Sequence, residues 1–144
     1  MFNFFNKKPT HPIATLFESI STNQKQSLVN ILFLISACDT LNEPHPEELK
    51  LLNFYVDIFN IQSSQAMARL KSYGMNGLVS DLQTLNKDQK EMLVTMVHSM
   101  ICVDGKPNET ELESASKFFN AIGIDDDKYV EIVTKTNALS QKFL

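Results

Sequence analysis

Two stretches of the chain, residues 28–38 and 92–103, are built almost entirely of apolar and small side chains, on every face of the helix that each would form. A helix without a polar face cannot lie on a protein surface, so it must be enclosed by other elements or by lipid. Both stretches are too short for a bilayer, which takes about 20 apolar residues. The enclosure therefore has to come from the rest of the 144-residue chain, which is long enough for one domain with its own core. Apolar content of 43% and charged content of 21% fit an ordinary globular protein.

The punctuation of the chain is helical throughout. No period-two alternation occurs, and neither Asn76-Gly77 nor Asp104-Gly105 joins two β-branched runs. Thr10-His11-Pro12 opens a short helix carrying Ile13, Leu16, Phe17 and Ile20. Ser21 or Thr22 caps a second helix that runs to about Asp39, and Glu43-Pro44-His45-Pro46 breaks the chain after it. Pro46 suits the first turn of a third helix, with Leu49, Leu52, Tyr55, Val56 and Phe59 on one face. Ser63 is the expected cap of a fourth helix that stops near Gly74, and a short segment over 76–82 follows. Asn86 with Gln89 forms a capping box for the sixth helix, and Asn108 with Glu111 for the seventh. Gly123 is placed to end that helix in a left-handed conformation, and Asp125 to cap the last, with Asp126 and Asp127 in its first turn.

These signals predict an all-α, single-domain bundle of about seven to eight helices over residues 10–144, preceded by a tail at 1–9. An internal repeat sharpens this. Shifting Ile20–Asp39 by 65 residues places Gln24, Lys25, Leu28, Val29 and Asp39 on Gln89, Lys90, Leu93, Val94 and Asp104. Beyond the turn the shift becomes 63, and Glu48-Leu49 meets Glu111-Leu112. The expectation is a duplicated helix–acidic turn–helix unit, residues 20–61 and 85–124. Its two central helices, about 22–39 and 86–103, would pack near a pseudo-twofold axis.

On these residues the chain resembles the tellurite-resistance TerB-like family. The resemblance rests on Val103-Asp104-Gly105, five intervening residues and Glu111-Leu112, all following an apolar helix. The earlier version from Cys38-Asp39 to Glu48-Leu49 and the lead-in Leu85-Asn86-Lys87-Asp88-Gln89-Lys90 add to it. It covers roughly residues 20–140, and it implies an all-helical duplicated bundle. It also implies divalent-metal binding by acidic turn residues: Asp104, Asn108 and Glu111 in the second turn, Asp39 and Glu48 in the first. Thr40 stands where the first turn would carry glycine, and Glu43–Pro46 lengthens that link.

Charge narrows the function. Residues 104–131 hold eight acids and three lysines, a net −5, while the rest of the chain carries +1. Such a half repels phosphate backbones and suits cations or a basic partner, and Arg69 is the lone arginine, so nucleic-acid binding is disfavoured. Oxygen donors at Asp104, Asn108, Glu109 and Glu111 suit calcium or magnesium rather than zinc. A true EF-hand is excluded, because its first and third positions would be Met100 and Cys102.

Asn108 and Glu111 also serve as a capping pair, which gives the same residues a purely structural reading. Cys38 and Cys102 lie in apolar runs without CxxC spacing and read as buried thiols of a cytoplasmic protein. His98 reads as a partly buried histidine hydrogen-bonded to a carbonyl, pointing away from Cys102. No GxSxG, P-loop or GxGxxG motif occurs. The expected function is thus non-catalytic: a module binding a divalent cation or a basic partner at 104–111. The alternative is a metal-free scaffold, dimeric through apolar surface near the aromatic N-terminus. For that tail, with Phe2, Phe4 and Phe5, packing on the protein's own core is favoured over membrane contact.

Overall fold

A computed structural model describes residues 11–37, 46–103 and 109–143, with side chains to Thr136. Every regular element among them is a helix: α1 (Pro12–Leu16), α2 (Thr22–Ala37), α3 (Pro46–Phe59), α4 (Ser63–Leu82), α5 (Lys87–Cys102), α6 (Glu109–Ala121) and α7 (Asp126–Phe143). None is long and apolar enough to cross a membrane. The tail at 1–9 lies outside the described residues.

The two apolar helices are enclosed as their composition demands. Leu28, Ile31 and Leu32 of α2 and Leu93, Val94, Val97 and Met100 of α5 are fully buried. Each such side chain contributes about 1.5–3 kcal/mol relative to exposure. α2 packs on α5, but its largest interface is with α4. Phe17, Phe59, Phe118 and Phe119 close the core from the surrounding helices.

Three buried polar side chains of α2, Ser27, Asn30 and Ser36, have hydrogen-bond partners, as buried polar groups require. Asn30 Nδ2 donates to the carbonyl of Ala66 at 2.9 Å, and Ser36 Oγ to that of Phe33 at 2.8 Å. Ser27 Oγ donates to Asp81 Oδ2 at 2.6 Å. Asp81 also receives Arg69 through both carboxylate oxygens at 2.9–3.1 Å, and its carbonyl accepts from Gln24 Nε2 at 3.0 Å. One aspartate thus ties α2 to both halves of α4.

The helix ends carry the expected caps with a few differences. Ser21 and Gln24 exchange hydrogen bonds of 3.0 and 3.1 Å, a capping box, and Asn86 with Gln89 repeats it 65 residues later at 3.0 and 2.8 Å. Both α3 and α6 end in Schellman turns. Ile61 N–H donates to Val56 O and Asn60 N–H to Asp57 O; Ile124 N–H donates to Phe119 O and Gly123 N–H to Asn120 O. Asn60 and Gly123 both have positive φ, at 53° and 95°. Asp125 caps α7 by accepting from Lys128 N–H at 2.8 Å.

Two expectations are corrected. Ser63 is the first residue of α4 rather than its cap; Gln62 holds that place without a side-chain bond. His11, just outside α1, caps it, its Nδ1 accepting from Ile13 N–H at 3.1 Å. And α1 stops at Leu16, where i→i−3 bonds from Glu18 and Ile20 tighten the chain into α2, although Phe17 is still buried. The cap of α6 at Asn108 lies outside the described residues.

The break expected at Gly74 occurs, but as a kink inside α4. Gly74 has φ 63° and ψ −164°, a region open essentially to glycine alone. The kink folds Tyr73 over Gly77, where a Cβ would lie 2.5 Å from Tyr73 Cβ. Arg69 then stacks on the Tyr73 ring at 4.6 Å while pairing with Asp81 across the bend. Gly77→Ala should therefore lower stability by about 1–3 kcal/mol through forced backbone displacement. Urea unfolding measures this; a midpoint as high as the wild type's would show that the kink does not need the missing Cβ.

Candidate functional site

The candidate residues divide by where they fall. Asp39, Asp104 and Asn108 lie outside the described residues. Glu48 and Glu111 occupy the same place on their helices, the third residue of α3 and of α6. Both are buried, at 3% and 2% exposure. A carboxylate at a helix N-terminus benefits from the dipole and the exposed amides there, which offsets part of the cost of burial. Among the described residues no three His, Cys, Asp or Glu side chains converge as a metal would require.

Acidic residues do gather along the α6–α7 edge. A groove of about 420 Å³ runs between these helices, with Glu109, Glu113 and Asp126 on its rim and Leu112, Tyr129 and Val130 supplying apolar surface. Val130 is 61% exposed and adds apolar surface beside these acids. Ser116 Oγ and Asn120 Nδ2 donate to Asp126 Oδ1 at 2.6 and 3.0 Å, joining α6 to α7 and holding the Asp126 carboxyl below its usual range.

A second groove, of about 190 Å³, lies among α2, α3 and α4. Its residues Leu49, Asn53, Ser63, Ala66 and Met67 stand 63 positions before Leu112, Ser116, Asp126, Tyr129 and Val130 of the first. The helix starts keep similar spacings: Thr22 and Lys87, Pro46 and Glu109, Ser63 and Asp126. Among the described residues no charged side chain lines the α3–α4 groove. The α6–α7 groove carries three acids and Lys117.

Beside the acidic groove stands an arrangement that the sequence reading missed. His98 Nδ1 lies 2.9 Å from Tyr129 Oη, and its Nε2 lies 3.5 Å from Cys102 Sγ. His98 does not point away from Cys102: four residues apart on α5, they share a face. That spacing was the available signal. Tyr129 comes from α7 and could not be placed without the fold. The hydrogen-bond partner of His98 is thus a phenol rather than the expected carbonyl. Burial depresses the His98 pKa, so the ring is neutral near pH 7. Burial, with the Cys102 thiol second, raises that of Tyr129. A neutral ring accepts on one nitrogen and donates from the other, and a phenol and a thiol can each take either part.

His98 protonates less readily in the folded state than in the unfolded one, so the unfolded state binds more protons below about pH 6.5. Its contribution is intact above that pH and is lost as pH falls through the depressed folded value. Melting temperatures followed from pH ~7.5 to ~5 should drop, and His98→Gln should flatten part of that drop. Parallel profiles for the two proteins would remove His98 as the cause. Comparison with protein-family models, with curated proteins and with solved structures finds no match to this chain.

Proposed function

We propose that the chain is a duplicated, non-catalytic helical binding module of the TerB-like kind, whose α6–α7 edge takes a basic partner. In this reading α2, α3 and the first half of α4 form one unit and α5, α6 and α7 the other. Paired capping boxes, paired Schellman turns and matched helix starts support the duplication. The functional reading is carried by one observation: two grooves that share five corresponding positions differ in charge, the described lining of one being uncharged and that of the other acidic. Glu109, Glu113 and Asp126 around exposed Val130 suit a segment with Lys or Arg flanking an apolar side chain.

A synthetic Lys/Arg-rich peptide with one central leucine tests this directly. Calorimetry should give binding that weakens with salt and falls about tenfold or more in Glu109→Gln, Glu113→Gln, since both carboxylates are exposed and their loss spares the core. Binding indifferent to both changes would refute the acidic edge as the site.

The cation reading rests on the family resemblance and on the oxygen donors that the sequence gathers at Asp104, Asn108 and Glu111. Calcium, magnesium or manganese should then raise the melting temperature, and the Asp104→Asn, Glu111→Gln double variant should not respond. A wild type unmoved by all three ions excludes a resident cation.

A further inference from the structure

The acidic half of the molecule also contains a groove in which lysines outnumber carboxylates. A groove of about 500 Å³ lies where the first turn of α5 meets the turn between α6 and α7. Lys87, Lys90 and Lys128 line it, against the carboxylates of Glu91 and Asp125. Leu85, Ile124 and Ile132 form its apolar side, each drawn from the core. The size is within the range of small-molecule sites, and the mixture is a few placed charges over an apolar surface.

The charges are not equivalent. Asp125 is committed to capping α7, since its Oδ1 accepts from the Lys128 amide at 2.8 Å. Lys90 is half-buried and fixed: its Nζ donates to the carbonyl of Ile122 at 2.8 Å, at the C-terminal end of α6. An ammonium has three donors, so the anchored group keeps two. Gly123 adjoins it without a side chain; a Cβ there would stand 3.9 Å from Nζ. Lys128 leans only weakly on exposed Glu131, at 3.4 Å.

This charge set belongs to the second half alone. At the corresponding first-half positions Thr22, Gln62 and Gln65 replace Lys87, Asp125 and Lys128, and only Lys25 matches Lys90.

We infer that this groove binds a small amphipathic anion, an aliphatic carboxylate. Lys90 and Lys128 hold its head group, and its chain lies along Leu85, Ile124 and Ile132. Phosphate alone uses half of the site, and an uncharged chain the other half. The inference is independent of the acidic α6–α7 edge, which lies on other residues.

The test is an NMR titration of the full chain with octanoate, octanol and inorganic phosphate, read at the amides of Gly123, Ile124 and Lys128. Octanoate should shift these saturably with a Kd below about 10 mM, and octanol and phosphate should each bind about tenfold more weakly. Lys90→Gln, Lys128→Gln should weaken octanoate about tenfold or more, and Lys128→Gln alone by a smaller factor, for the loss of charge-assisted contacts. The single variant leaves the Lys90–Ile122 anchor intact, so it reports even if the double variant is unstable. No saturable shift in the wild type, phosphate equal to octanoate, or octanoate binding unchanged in the variants would each overturn the assignment.

Discussion

Two helices without a polar face impose most of this architecture. α2 and α5 can persist in water only if other helices cover them on several sides, which sets how many elements the fold needs and where they go. Their few polar groups are then obliged to find partners within the core. That is why Asn30 reaches the Ala66 carbonyl and Ser27 reaches Asp81. Asp81 matters beyond its own bonds: by receiving Ser27 from α2 and Arg69 from across the kink, it fixes the bent helix against the helix it covers. Losing it would leave the Arg69 guanidinium, only 18% exposed, without its carboxylate.

The same enclosure problem is solved differently in the two halves. In the first, large Phe33 of α2 and small Ala66 of α4 share the groove wall, and none of the described lining residues is charged. In the second, the positions that correspond by the 65- and 63-residue shifts hold His98 and Tyr129, joined at 2.9 Å. A polar pair replaces an apolar one at the cost of holding a histidine neutral. Tyr129 then presents part of its surface to the acidic groove while its hydroxyl is satisfied inward.

How much was legible in the sequence depended on the range of the interaction concerned. The capping box at Asn86, the Asp125 cap and the left-handed Gly123 are decided within a few residues and appear where local chemistry placed them, and of Ser21 and Thr22 it is Ser21 that caps α2. The exchange of Gln62 for Ser63 as cap is a one-residue slip of the kind local signals cannot resolve. The kink at Gly74 was visible as a helix stop. That it continues as one bent element depends on Arg69, Asp81 and the bare Gly77, which act across the bend. Cys102 and His98 were within reach of a spacing argument; Tyr129, 31 residues away, was not. The grooves were beyond reach for the same reason, since each is assembled from separate helices.

Comparing positions 65 or 63 residues apart also separates what the fold requires from what distinguishes one set of helices. Glu48 and Glu111 are buried to the same depth at the same helical position, so whatever holds a carboxylate there serves both halves. A feature shared in this way is explained first by architecture: a helix N-terminus entering the core needs its amides satisfied. Specificity has to come from positions that match in place and differ in chemistry. Those are Ser63 against Asp126, Met67 against Val130 and Gln65 against Lys128, which line the grooves of the second half rather than its core. The buried glutamates are therefore common to both sets of helices, whereas the α6–α7 groove presents a chemistry that its α3–α4 counterpart does not.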